Sequence, residues 1–253
     1  MPNIKFTIAY DGAPWLGWQS QKTGGGIQNE IARALSITVE QEVRVFGAGR
    51  TDRGVHALGQ VAHSLLPDEI PSLEKLRDAL NSRLPGTIRI LRAQKVSPAF
   101  HSRYSSCGKH YRYEIINAPV LNPLLLNRAW HIQQPLDMEA MQKALACFVG
   151  EHDFSMFCGR LPKAGENIIR NLSRCQLGLK QKKIVIDFEG SGFLYRMVRL
   201  MVGAIVRCGR GKTLWTEVQS FLAGGRHMAL EQAGSRPQYC APPDGLYLVK
   251  VRY

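Results

Sequence analysis

A single carboxylate stands between two arginines in Gly47-Ala48-Gly49-Arg50-Thr51-Asp52-Arg53-Gly54-Val55-His56-Ala57. Asp52 has no second carboxylate at its side, so its neighbours suggest neither a metal site nor an acid–base pair. The two cations favour its ionised form at neutral pH. Gly47, Gly49 and Gly54 allow unusual backbone angles or a close approach to a ligand. Such a turn suits charge pairing with, or attack on, the reactive centre of a polyanion. A surface turn with an exposed ion pair has the same spacing, and spacing alone does not separate the two.

Extended segments on either side would hold the turn. Val43-Arg44-Val45-Phe46 is β-branched and aromatic and reads as a strand, and Gln60 to Leu66 reads as another. Asn3 to Tyr10 alternates Ile4, Phe6, Ile8 and Tyr10 with Lys5, Thr7 and Ala9, the pattern of a half-buried strand. After Gly24-Gly25-Gly26, Ile27, Ile31 and Leu35 recur at helical spacing; the glycines lack the Lys-Ser/Thr of a phosphate loop and read as a lead-in. Leu73, Leu76 and Leu80 mark a second helix, ended by Leu84-Pro85-Gly86, and Ile88 to Val96 returns as a strand. Residues 1–105 thus form one α+β half, resembling an RNA-recognition-type sheet.

A second half is expected over 106–253. A strand from Lys109 to Asn117 would put Tyr111, Tyr113 and Ile115 on one face. Met138, Met141, Leu145 and Phe148 form a helical stripe that stops at Gly150. Gly159 to Asn167, with Pro162, Lys163 and Gly165, reads as a basic loop. Strands follow at Leu172 to Leu179 and Lys183 to Glu189, then a helix from about Phe193 to Cys208. A shorter helix near Thr216 to Leu222 and a last strand, Gly245 to Tyr253, complete the half.

Composition narrows the classes. Thirty-three basic against twenty acidic side chains leave a net charge of +13, spread along the chain, which favours a folded basic surface and nucleic acid as its partner. No stretch approaches the length of a membrane span, and the strand-like N-terminus reads as no signal peptide. The six cysteines are scattered, without Cys-x-x-Cys or histidines at finger spacing. That pattern argues against zinc and for reduced thiols in the cytoplasm.

Gly49-Arg50-Thr51-Asp52-Arg53-Gly54-Val55-His56-Ala57 resembles the active-site loop of the TruA family of tRNA pseudouridine synthases. Further matches follow in that family's order: Asp11-Gly12 with Gly17-Trp18-Gln19, Lys109-His110-Tyr111-Arg112-Tyr113, His152-Asp153-Phe154-Ser155, Phe193-Leu194-Tyr195-Arg196-Met197-Val198-Arg199, and Ala241-Pro242-Pro243-Asp244-Gly245-Leu246-Tyr247-Leu248. Trp15 stands where the family pattern leads one to expect tyrosine. The resemblance spans essentially the whole chain.

It implies isomerisation of uridine to pseudouridine at positions 38 to 40 of the tRNA anticodon stem-loop, without metal or cofactor, by a homodimer. It implies an α+β fold of two halves whose sheets join into one long, mainly antiparallel sheet, with a basic cleft between them. Asp52 becomes the catalytic residue. Tyr111, otherwise a core aromatic, becomes the ring that stacks on the target uracil. Arg50 is expected to hold the displaced nucleotide. Arg199, which by helical spacing shares a solvated stripe with Arg196, Gly203 and Arg207, is expected beside the catalytic carboxylate. His56 and His63 read as structural, and Lys109, Arg112, Arg53, Lys163 and Arg170 as backbone contacts. The alternatives are a non-catalytic RNA-binding or chaperone module, which would not need Asp52, Tyr111 and Arg199 together, and a nucleosidase acting on free uridine, which fits poorly with the charge.

Overall fold

The computed structural model describes residues 1–19, 24–67, 72–161, 163, 165–231 and 239–253. Among these the chain is a mixed α/β protein. Its strands in chain order are β1 (Asn3–Tyr10), β2 (Phe46–Gly47), β3 (His56–Leu65), β4 (Ile88–Val96), β5 (Gly108–Asn117), β6 (Trp130–Ile132), β7 (Gly150–Asp153), β8 (Ile169–Lys180), β9 (Lys183–Gly190) and β10 (Leu246–Arg252). The helices are α1 (Ile27–Thr38), α2 (Leu73–Arg83), α3 (Met138–Ala146), α4 (Met197–Gly209) and α5 (Trp215–Glu231). The chain divides into two compact units, Met1–Cys107 with Tyr247–Tyr253, and Gly108–Leu246.

In the first unit the strands run in the order β4-β1-β3-β10, with β2 on β3. Period-two alternation does what the sequence predicts: Ile4, Phe6, Ile8 and Tyr10 of β1 are buried. So are Ile27, Ile31 and Leu35 of α1 and Leu76 and Leu80 of α2. Each such side chain contributes roughly 1.5–3 kcal/mol on leaving water. The Ser72 hydroxyl caps α2 by accepting from the backbone N–H of Lys75.

Three boundaries differ from expectation. The strand at 43–46 shrinks to Phe46–Gly47 because side chains take its carbonyls: Ser64 Oγ donates to Arg44 O and Gln28 Nε2 to Val45 O, both at 2.7 Å. Val43 and Val45 are buried all the same. β3 begins at His56, before Gln60. The end of the chain goes with its beginning, although the sequence assigns it to the second half. β10 pairs in parallel with β3, Tyr247 beside His56, and Cys107 N donates to Arg252 O at 3.0 Å.

The second unit runs β5-β9-β8-β7, with β6 on β5. Tyr113 and Ile115 of β5 face inward with Ile184, Ile186 and Phe188 of β9. The Asp137 carboxylate caps α3, accepting from the N–H groups of Glu139 and Ala140. α4 starts at Met197 rather than Phe193, since Arg196 takes a left-handed conformation (φ 57°) and interrupts the helical path. α5 is longer than expected and carries a non-helical break at Gly225 (φ 47°). Strand β6 is too short, and β7 too short and too polar, for periodicity to reveal. Pro162 of the expected basic loop lies outside the described residues.

Candidate active site

Asp52 sits in the turn between β2 and β3, half-buried, with Arg50 and Arg53 exposed on either side. Polar bonds from neighbouring segments hold the turn. Ala48 N donates to Val61 O at 2.8 Å, and Gln60 Nε2 donates to Gly49 O at 3.0 Å. The Thr51 hydroxyl lies 2.8 Å from that of Tyr10, and Thr51 O accepts from Trp18 N at 3.1 Å. Val55 N closes the turn on Asp52 O at 3.1 Å, and Gly54 supplies the positive φ of 80°. Burial pushes the Tyr10 phenol above its ordinary range, outweighing its bonds with Thr51 and Gln60, so the ring stays neutral.

Glycine lets a second segment clasp this turn from behind. A Cβ on Gly12 would stand 2.0 Å from Val55 O, and one on Gly17 would stand 2.7 Å from Thr51 O. Gly12 N donates to His56 Nδ1 at 3.1 Å, and the Asp11 carboxylate lies 3.2 Å from the same nitrogen. His56 is buried and stacks on Tyr247 at 4.8 Å, a structural place in the fold. The Trp15 indole donates to the Thr87 hydroxyl at 3.2 Å. Sequence reasoning gave no role to Tyr10, Thr51 or Gln60. The available signal was Gln60, an amide in an otherwise apolar strand pattern, which is fully buried.

In the second unit, Tyr111 lies on β5, nearly buried, with Phe193 packed edge-on at 5.0 Å. Tyr113 is fully buried and donates to Pro242 O at 2.7 Å, a core role. Arg199 is not on a solvated stripe. Its Nε donates to Ala241 O at 2.7 Å, while Ala241 N donates back to Arg199 O at 3.0 Å. The segment through Ala241 covers that side of α4 so closely that a Cβ on Gly203 would stand 1.8 Å from Tyr239 O. Arg196 precedes the helix and is exposed, its guanidinium 5.0 Å from the Tyr195 ring. Arg112 is committed to Asp187, with Nε to Oδ1 at 3.0 Å, and His110 Nε2 meets the same oxygen at 2.6 Å. Arg50 and Asp52 therefore share one turn of the first unit, and Tyr111 and Arg199 belong to the second.

Among the described residues, no group of three His, Cys, Asp or Glu side chains is placed to hold a metal ion. None of their helices is long and apolar enough to cross a membrane. What the first unit displays is one carboxylate on a braced turn, between cations.

Comparison with known proteins gives this geometry its class. The family model described as tRNA pseudouridine synthase matches residues 7–105 and 144–253. A protein of Akkermansia muciniphila, tRNA pseudouridine synthase A, is 43% identical over 260 residues, covering 100% of this chain and 96% of its own. Another of the same name, from Acetivibrio thermocellus, is 39% identical over 253 residues and covers 100% of both chains. The chain belongs to the tRNA pseudouridine synthases, an isomerase family. Within it, the full-length relatives mark the TruA type.

Proposed function

We propose that this protein converts uridine to pseudouridine at positions 38 to 40 of the tRNA anticodon stem-loop, with Asp52 as the catalytic residue and no cofactor. The observation that carries the reading is the display of Asp52, half-exposed on a turn whose neighbours Thr51 and Val55 are pinned by main-chain bonds. A glycosidase needs one carboxyl group for the sugar and another to protonate the leaving group. Here the leaving group returns to the same sugar, so a single aspartate suffices. Asp52 engages C1′, either as nucleophile or by promoting elimination to a glycal. The C1′–N1 bond breaks, the uracil turns against Tyr111, and C1′–C5 forms. The C5 proton leaves and N1 gains one. Arg50 and Arg199 bind the substrate. Extruding the uridine costs a few kcal/mol, less in a loop than in a duplex. The protein works in the cytoplasm as a homodimer, which light scattering would read as twice the chain mass.

The test uses unmodified tRNA carrying tritium at uracil C5. Wild type should release label to water and Asp52→Asn should release none, while its tRNA affinity stays within a few-fold. Chemical mapping of the product should place pseudouridine at positions 38 to 40. No release by either protein, with tRNA still tightly bound, would favour the RNA-binding module. Collapsed binding by Asp52→Asn would make Asp52 a structural residue.

A further inference from the structure

A second surface of the first unit carries nucleic-acid chemistry. The segment after β4 folds back over the sheet: Asn3 Nδ2 donates to Ser97 O and Phe100 O, and Ser102 Oγ donates to Phe46 O at 2.6 Å. His63 of β3 lies beneath it, stacked on Phe46 at 5.1 Å and edge-on to His101 at 4.6 Å. The ring series continues outward from His101 to Tyr104 at 4.4 Å. Its base is buried and its rim is open: His63 is 5% exposed, Phe46 41% and Tyr104 78%. Folding alone gives no reason to leave such rings in water, because burying them would stabilise the chain.

The rim is also braced. His101 Nδ1 accepts from the N–H groups of Arg103 and Tyr104 at 3.1 and 3.3 Å, and His101 N donates to Ser105 Oγ at 3.0 Å. The exposed Arg103 guanidinium stands 5.8 Å from the Tyr104 ring. β2, which carries Phe46, runs directly into the turn that displays Asp52. Exposed rings beside a guanidinium, on a chain of net charge +13, match a base with its phosphate.

We infer that Phe46, His101 and Tyr104 form a stacking platform for an unpaired nucleotide of the RNA substrate, outside the uridine that reacts, with Arg103 on an adjoining phosphate. The inference rests on the protein's acting on RNA. It does not depend on Asp52 being catalytic.

The test compares Tyr104→Ala, Tyr104→Phe and Arg103→Ala in tRNA binding across a salt series. Stacking on Tyr104 predicts that Tyr104→Ala weakens binding by roughly 5- to 150-fold without altering the salt slope. Tyr104→Phe should bind as wild type. Arg103→Ala should flatten the slope by about one counterion. Tyr104→Trp should be quenched by tRNA and left bright by a fully paired RNA duplex. Unchanged tRNA affinity in Tyr104→Ala, as a protein partner at this face would give, overturns the platform. Equal quenching by the duplex overturns it as well. Absence of label release from wild type would count against the catalytic reading alone, since the binding contrasts are read separately.

Discussion

The turn that displays Asp52 has almost no sheet ladder of its own. Gln60, Tyr10 and Trp18 reach in from other elements, and Gly12 and Gly17 let a neighbouring backbone come within contact distance. The helix that displays Arg199 is held in the opposite way. α4 buries Val198, Leu200, Met201, Val202, Ile205 and Val206, and the Ala241 backbone is bonded to it at one residue in both directions. The first region depends on polar bonds and on the absence of side chains. The second depends on apolar bulk. A substitution that adds volume should therefore damage the turn, and one that removes a planar donor should damage the Arg199 edge of the helix while sparing its packing.

The largest effect beyond loss of Asp52 itself should come from Gly12→Ala. With Val55 O only 2.0 Å from the new methyl, the backbone must move, at a cost of roughly 3 kcal/mol. The urea midpoint should fall, and tritium release at saturating tRNA should fall with it, because the displaced carbonyl lies three residues from Asp52. Wild-type stability in this variant would show the clasp to be looser than its geometry. Arg199→Lys comes next. It keeps the charge but loses the Nε bond to Ala241 O, so we expect turnover to drop by about 10- to 100-fold with little change in stability. Near-normal turnover would remove Arg199 from the site.

The two regions were also unequally legible. The buried stripe of α4 follows from the spacing of its apolar residues, because helical periodicity survives in any context. Its start did not follow, since a left-handed Arg196 is set by local packing and not by residue type. Asp52 was legible only as a motif. The bonds that brace it join residues far apart in the chain, Tyr10 to Thr51 among them, and pairing over such distances leaves no periodic trace. The same holds for the parallel pairing of β10 with β3, which assigns the chain's end to the first unit. The exposed rings at Phe46 and Tyr104 were invisible for a related reason. Phe46 read as an ordinary strand residue until the fold placed it on a rim.

The smallest predicted effect separates the regions by pH. His63 pairs with Lys5 across the β1–β3 ladder and packs against His101 and Phe46, at the foot of the strand that enters the Asp52 turn. Burial pushes the His63 imidazole down to about 4, aided by the neighbouring His101 and opposed by a bond to the Phe46 backbone. The unfolded chain binds this proton near the ordinary value of about 6.5, so between the two values it holds more protons than the folded one. Stability from neutral His63 is thus fully present above about pH 6.5 and lost as pH falls toward 4. His63→Gln removes the titrating group and leaves the others in place. Subtracting its urea midpoints from those of wild type across pH 7.5 to 4 should isolate a loss confined to that window. A difference that stays flat with pH would mean that the imidazole takes up its proton inside the fold without penalty, and the entry to the Asp52 turn would then be as indifferent to acid as the apolar packing of α4.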